Sequence, residues 1–363
     1  MISLDLITKF CGLEFSNPVL TAAGPQTRDG KTLLEAARGG AGGLIAKTIS
    51  LNAAVVAKPN IAVVDRTRRS LVNVELWSEL TPKQWFEEEY RTAKTSKLTL
   101  IGSVGYSVEE TTVLAPKMVE AGCDAIEFSL HYVKAAEEIA KALKEVVDVP
   151  IIAKLSPHQT SEVTHIVKRM DSYVDGFSAI NSFGPVLHID IESGQPVLGG
   201  ANGFGWISGS ALKPLAVRCV ADVARVTKKP IIGVGGIFSG KDALEFIMCG
   251  ATAVGVCSAA ILHGQSIYGK IASEIASWLV SHSYESVDEV RRRALPNLPS
   301  KPRRTHAVAP VVTEKCNLCK LCIRSCAFSA LSIQNKQLLV SKNNCAGCGL
   351  CTTVCPRGGI VFQ

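Results

Sequence analysis

At 363 residues, 47% apolar and 20% charged, the chain has the make-up of a folded globular protein and is long enough for two domains or one large α/β domain with an appendage. No apolar run approaches the roughly 18 residues needed to span a bilayer, and the opening MISLDLITKF lacks the apolar core of a signal peptide, so a cytoplasmic setting without membrane contact is expected. The net charge of +7 comes without aromatic interleaving or a binding-module motif, which argues against nucleic acid as a partner.

Residues 1–290 alternate short apolar runs with helical stretches. The runs are NPVLTAAG (17–24), GGLIAKTIS (42–50), LTLIGSVG (98–105), DAIEFSLH (124–131), VPIIAKLS (149–156), GFSAINSF (176–183), KPIIGVGG (229–236) and ATAVGVCS (251–258). They are continuously apolar, as parallel strands buried on both faces should be. Apolar residues at i, i+3, i+4 spacing predict helices between them, as over 133–147 and 211–226. Eight such units predict an α/β chain whose residues 1–290 form a (β/α)8 TIM barrel.

In a barrel of this kind chemistry gathers at the C-terminal strand ends. Those ends are polar here: Lys47-Thr48, Ser129, His131, Lys154, Ser156, Asn181-Ser182, Gly235-Gly236 and Cys257-Ser258. Two lysines at inward strand ends suit an anionic or electron-rich ligand, since an unpaired buried ammonium is costly. The glycine turns GVGGIFSG (233–240) and SGSALKP (208–214) offer backbone N–H groups for a phosphate.

Residues 291–304 combine Arg291, Arg292, Arg293, Lys301, Arg303 and Arg304 with three prolines, so 291–310 is expected to be a basic linker. Residues 311–363 then hold eight of the 13 cysteines, in CNLCKLCIRSC (316–326) and CAGCGLCTTVCP (345–356). Both runs follow the C-x2-C-x2-C-x3-C spacing of two-cluster ferredoxins, in which the fourth cysteine of each run ligates the other cluster. This assigns Cys316, Cys319, Cys322 and Cys355 to one 4Fe-4S cluster, and Cys345, Cys348, Cys351 and Cys326 to the other. Structural zinc is the competing reading, but two complete quartets without histidine in 311–363 favour iron and sulfur. Six basic residues against one acid, Glu314, offset the negative charge of such clusters. A cluster wire without a G-x-G-x-x-G dinucleotide fingerprint calls for a carrier between one- and two-electron chemistry, and flavin mononucleotide (FMN) in the barrel mouth fits best.

These residues resemble the dihydroorotate dehydrogenase and dihydropyrimidine dehydrogenase superfamily, and most closely the flavin and iron–sulfur catalytic portion of the latter. NVELWSE (73–79) is similar to its substrate loop and AKLSP (153–157) to its flavin-contacting segment. AINSFG (179–184) resembles its INT segment, while SGSALKP, GVGGI and VCSA (256–259) resemble its phosphate site. The resemblance implies that Ala22, Ala23 and Gly24 line the flavin, with Lys47 and Thr48 beside its ring. It puts Lys154 near the N1–C2 edge and gives the phosphate to Gly209, Gly235, Gly236, Cys257 and Ser258. Asn73, Glu75, Asn181 and Ser182 would bind a planar, amide-rich substrate.

The chain departs from the family after the fourth strand, where an asparagine and a catalytic cysteine or serine are replaced by Ser129 and Tyr132. Alternation along that strand puts Glu127, Ser129 and His131 on one face. With an ordinary pKa of about 6.5, His131 is the expected acid/base, assisted or capped by Tyr132. The function expected is oxidation or reduction of a CH–CH bond in a dihydropyrimidine-like ring, with electrons passing through the clusters to or from an NAD(P)H-oxidising flavoprotein subunit or other carrier. Alternatives are a dihydroorotate dehydrogenase of pyrimidine synthesis, a related flavin enzyme for a non-pyrimidine substrate, and a non-catalytic electron-transfer subunit. A homodimer is compatible with this reading.

Overall fold

Eight parallel strands carry the larger part of the molecule: Val19–Thr21 (β1), Leu44–Ile45 (β2), Leu100–Val104 (β3), Ala125–Ser129 (β4), Ile151–Leu155 (β5), Gly176–Ala179 (β6), Ile231–Val234 (β7) and Ala253–Val256 (β8). The computed structural model describes residues 5–64, 67–130, 136–159 and 162–362. Each strand pairs with its neighbour in chain order from β2 to β8, and β8 pairs with β1. A parallel bridge between Leu20 and Gly43 joins β1 to the approach to β2. The (β/α)8 expectation is borne out, and all eight strands fall inside the apolar runs read from the sequence.

The helices between strands start where side chains can satisfy their free N–H groups. Asp29 accepts from Thr32 N at the head of Gly30–Arg38. Ser107 does so for Val108–Glu120 and Ser239 for Gly240–Met248. The barrel interior is apolar low down, where Leu20, Ile45, Ile101, Ala125, Ile152, Ile232 and Ala253 form one buried cluster. Phe10 and Phe15, from an N-terminal hairpin (Thr8–Phe10 with Leu13–Phe15), join that cluster and plug the N-terminal end of the barrel. The sequence reading did not identify this plug, whose strands are three residues long.

Two long βα connections supply a second, antiparallel sheet. Ile61–Val63 and Ser70–Asn73 lie between β2 and β3, while Phe183–Val186 and Gly205–Gly209 lie between β6 and β7. The central pairing runs from Trp206 opposite Asn73 to Gly209 opposite Ser70. This sheet is absent from the sequence reading.

The chain divides into two compact units, Met1–Asn297 and Leu298–Gln363. The connector therefore starts later than the linker expected from residue 291. Arg292 N donates to the Ile247 carbonyl at 3.0 Å and Ala294 N to that of Met248 at 2.9 Å. These N–H groups satisfy carbonyls at the end of helix Gly240–Met248 and bind residues 291–297 to the first unit. The second unit contains two short antiparallel pairings, Val311–Val312 with Ile360–Val361 and Leu331–Gln334 with Gln337–Val340. It also has two short helices, Leu321–Arg324 and Leu350–Val354, one within each cysteine run. Among the described residues, no helix is long and apolar enough to cross a membrane.

Candidate functional site

The C-terminal strand ends of the barrel converge on one cavity of about 420 Å³. Ala22, Ala23 and Gly24 line it after β1, Lys47 and Thr48 after β2, and Lys154 from β5. Asn181 and Ser182 enter after β6, Gly235 and Gly236 after β7, and Cys257 and Ser258 after β8. The antiparallel sheet contributes Asn73 and Gly209, and Glu75 follows directly on its strand Ser70–Asn73. The structure thus brings together every flavin- and substrate-side residue expected from the sequence. His131 and Tyr132 lie outside the described residues.

Both lysines are buried, and each has a carboxylate partner. Lys47 Nζ lies 2.5 Å from Glu75 Oε2, and the Asn60 amide donates to the other Glu75 oxygen. Lys154 Nζ lies 3.4 Å from Oε1 of Glu127, a fully buried residue of β4. Glu127 Oε1 also accepts from Ser103 Oγ at 3.4 Å, and that hydroxyl lies 2.8 Å from Thr48 Oγ1. A buried polar layer of Thr48, Ser103, Glu127 and Lys154 therefore sits above the apolar barrel floor. Asn73 has a structural duty as well: its amide donates to the Trp206 carbonyl at 3.1 Å, and its Oδ1 accepts from Glu75 N at 3.2 Å. It fastens the antiparallel strands and orients Glu75.

On the opposite wall the backbone itself is exposed to the cavity. Gly209 has φ +85°, and a Cβ there would meet the Arg69 carbonyl oxygen at 2.1 Å. Gly236 has φ +73°, and its Cβ would meet the Gly209 carbonyl oxygen at 2.6 Å. Only glycine fits either place. Ser258 Oγ lies 3.1 Å from Ser208 Oγ beside them. The Cys257 thiol donates to Gln26 Oε1 at 3.2 Å, and burial pushes it up to about 11. It is a neutral wall group.

Several lining residues escaped the sequence reading: Tyr106, Trp77, Trp206 and Ile61. Tyr106 and Trp77 pack with ring centroids 6.0 Å apart, and burial, with Glu110 nearby, pushes the Tyr106 phenol up to about 12. Trp77 stands inside the quoted loop NVELWSE, so its aromatic bulk was visible there. The alternation along β4 had likewise set Glu127 on the same face as Ser129.

In the second unit, Cys316, Cys319, Cys322 and Cys355 line one small hollow. Cys326, Cys345, Cys348 and Cys351 line another. Each hollow thus takes three cysteines from one run and a fourth from the other. The loops turn through left-handed backbone at Leu318 and Lys320 in the first run and at Gly347 and Gly349 in the second. Backbone N–H groups already point at sulfur: Gly359 to Cys355 at 3.2 Å, Ala330 to Cys326 at 3.4 Å and Gly347 to Cys345 at 3.4 Å. Such donors, that of Arg357 foremost, hold the Cys355 thiol below its ordinary value. They would stabilise thiolate ligands.

Two sequence families match the chain. The one described as "Dihydroorotate dehydrogenase" covers residues 129–279, and "4Fe-4S dicluster domain" covers residues 315–359. The dihydroorotate dehydrogenase B (NAD(+)) catalytic subunit of Thermoplasma acidophilum is 33% identical over 306 residues, spanning 79% of this chain and 97% of that protein. Its counterpart in Thermoplasma volcanium is 34% identical over 302 residues, with the same coverage. That of Methanothermobacter thermautotrophicus is 33% identical over 302 residues, 78% of this chain and 97% of its own. A barrel whose strand ends meet in a glycine-walled cavity, together with likeness along nearly the full length of these subunits, establishes that the chain belongs to the dihydroorotate dehydrogenase family and carries a 4Fe-4S dicluster domain.

Proposed function

We propose that the chain oxidises the CH–CH bond of a dihydropyrimidine ring, with dihydroorotate the first substrate to test, using FMN in the barrel mouth and two 4Fe-4S clusters in the second unit. As a member of its family it is an oxidoreductase acting on CH–CH donors. The observation that carries the finer reading is the single cavity in which glycine backbone, buried lysines and amide side chains meet. Sequence resemblance put a neutral dihydropyrimidine ahead of dihydroorotate. The relatives are dihydroorotate dehydrogenase B catalytic subunits, and they support the reverse order.

The cavity suits FMN on the evidence of its own walls. Gly209 and Gly236 line it with backbone packed too tightly for any side chain, and bare backbone N–H groups suit a phosphate. Lys154 and Lys47 supply buried positive charge for an electron-rich ring. When bound, the flavin supplies an acceptor for a hydride and passes electrons on singly. The chain's own residues do the rest. Asn181, Ser182 and Asn73 orient ring amides, and Trp77, Tyr106 and Trp206 exclude water. Forming the ring double bond releases a hydride from one carbon and a proton from its neighbour. His131 is proposed to take the proton at an imidazole nitrogen. His131→Asn should retain flavin and lose turnover.

Electrons would leave through the two cysteine quartets to a separate subunit that handles NAD(P)H, docked near the basic residues of 291–304. The relatives' designation as catalytic subunits supports such a division. A second reading rests on charge. Each lysine lining the cavity has its own carboxylate partner, which favours an uncharged cyclic amide such as dihydrouracil over a carboxylated ring. Protein prepared without oxygen should contain FMN and iron, and dihydroorotate should bleach its flavin. Bleaching by dihydrouracil or dihydrothymine alone would select the second reading. Material without flavin would refute both.

A further inference from the structure

Glu127 is the least explained charged group in the barrel. It is fully buried, and its Oε1 is shared between the Lys154 ammonium and the Ser103 hydroxyl, both at 3.4 Å. Its Oε2 is buried too and makes no hydrogen bond. A carboxylate kept only for stability would have both oxygens satisfied, because a buried charge with an unpaired lone pair costs free energy. An apolar side chain of similar size would serve the fold at least as well. The neighbours point the same way. Ser178 Oγ, in register with Lys154 on the adjoining strand β6, is a second buried oxygen without a partner. Beneath this layer the barrel is wholly apolar, so no other described charge compensates Lys154 from below.

Resting on the FMN reading given above, we infer that Glu127 is a positioning residue that holds the Lys154 ammonium and weakens its electrostatic effect on the cavity, thereby setting the reduction potential of the bound flavin. With Glu127 ionised, the pair presents less positive charge to the cavity than the ammonium alone would. Removing the negative member leaves an uncompensated cation in a low-dielectric layer, where charge interactions are strong. That cation favours the reduced, negatively charged flavin, so the potential rises. Removing Lys154 instead takes away the cation, and the potential falls. Without Lys154, Glu127 has no cation left to hold. Its further replacement then changes nothing.

The test is spectroelectrochemical titration of the purified holoprotein, after flavin content has been measured for each variant. Glu127→Gln should keep its flavin and favour reduction at least tenfold, a rise of about 30 mV for a two-electron couple. Glu127→Asp, which restores the charge, should return the potential to that of the parent. Lys154→Met should lower the potential, and Glu127→Gln in that background should add no shift. An unchanged potential in flavin-loaded Glu127→Gln overturns the inference, as does a shift that persists without Lys154. Should Glu127→Gln not fold, the Asp variant and Lys154→Met decide alone, and equal potentials in Lys154→Met and parent overturn it. A parent chain that binds no flavin overturns the cofactor reading instead, and the flavin assay identifies that case first.

Discussion

The ammonium of Lys47 and the carboxylate of Glu75 lie 2.5 Å apart, joining the end of a barrel strand to the antiparallel sheet above it. Both side chains are largely buried, so either charge is poorly hydrated if its partner is removed. Glu75→Ala should therefore destabilise the first unit by about 3 kcal/mol, the usual cost of breaking a buried pair. Thermal unfolding should show a drop of about 6–10 °C. The double variant Lys47→Met, Glu75→Leu should recover much of that loss, and equal instability of single and double variants would remove the argument.

Gly209 offers a second check, independent of charge. Its backbone is left-handed, and a methyl group there would press on the Arg69 carbonyl oxygen. Gly209→Ala should reduce flavin occupancy at least tenfold, with the second unit's iron content unaffected. Visible absorbance of the purified protein, set beside an iron assay, separates the two effects.

The crossed cysteine grouping makes a quantitative prediction about metal. Cys348→Ser removes a ligand from the hollow lined by Cys326, Cys345 and Cys351. Iron per chain should fall by half, while the hollow of Cys316, Cys319, Cys322 and Cys355 keeps its cluster. Iron analysis with low-temperature electron paramagnetic resonance of the reduced protein would detect loss of one signal. Loss of both would mean that the two sites fold as one.

Alkaline pH should expose the buried thiols. Burial among helix and strand side chains pushes Cys219 from the usual 9.0 up to about 12. The unfolded chain releases this proton near pH 9, while the folded one keeps it. Stability is therefore full below pH 9 and declines between pH 9 and 12, by about 1.4 kcal/mol per pH unit for this group. In urea unfolding, the parent should lose about that much more than Cys219→Ala between pH 9 and pH 10.

The barrel was legible because each strand is a short, continuously apolar run followed by polar residues, a pattern that burial on both faces imposes. The cysteine grouping was legible because ligand spacing is set by cluster geometry. The antiparallel sheet was not. Its strands, such as Ser70–Asn73 and Gly205–Gly209, are four or five residues long and lack apolar alternation, so no periodicity marks them. The Phe10–Phe15 plug was missed because its strands, Thr8–Phe10 and Leu13–Phe15, are only three residues long, too short for their alternation to stand out. The partnership of Lys154 with Glu127 depends on strand register, which no local pattern encodes. The start of the connector was missed because Arg292 and Ala294 satisfy helix-end carbonyls that are distant in sequence.

Asn73 and Glu75 belong to a ribbon of strands bonded to one another, whereas Lys47, Lys154 and the paired glycines after β7 belong to the barrel itself. Two of the side chains proposed to meet substrate thus hang on the ribbon, while both buried lysines hang on the barrel. Under the proposed reading, changes confined to the Asn73 end of the ribbon would present a new molecule to the same two lysines.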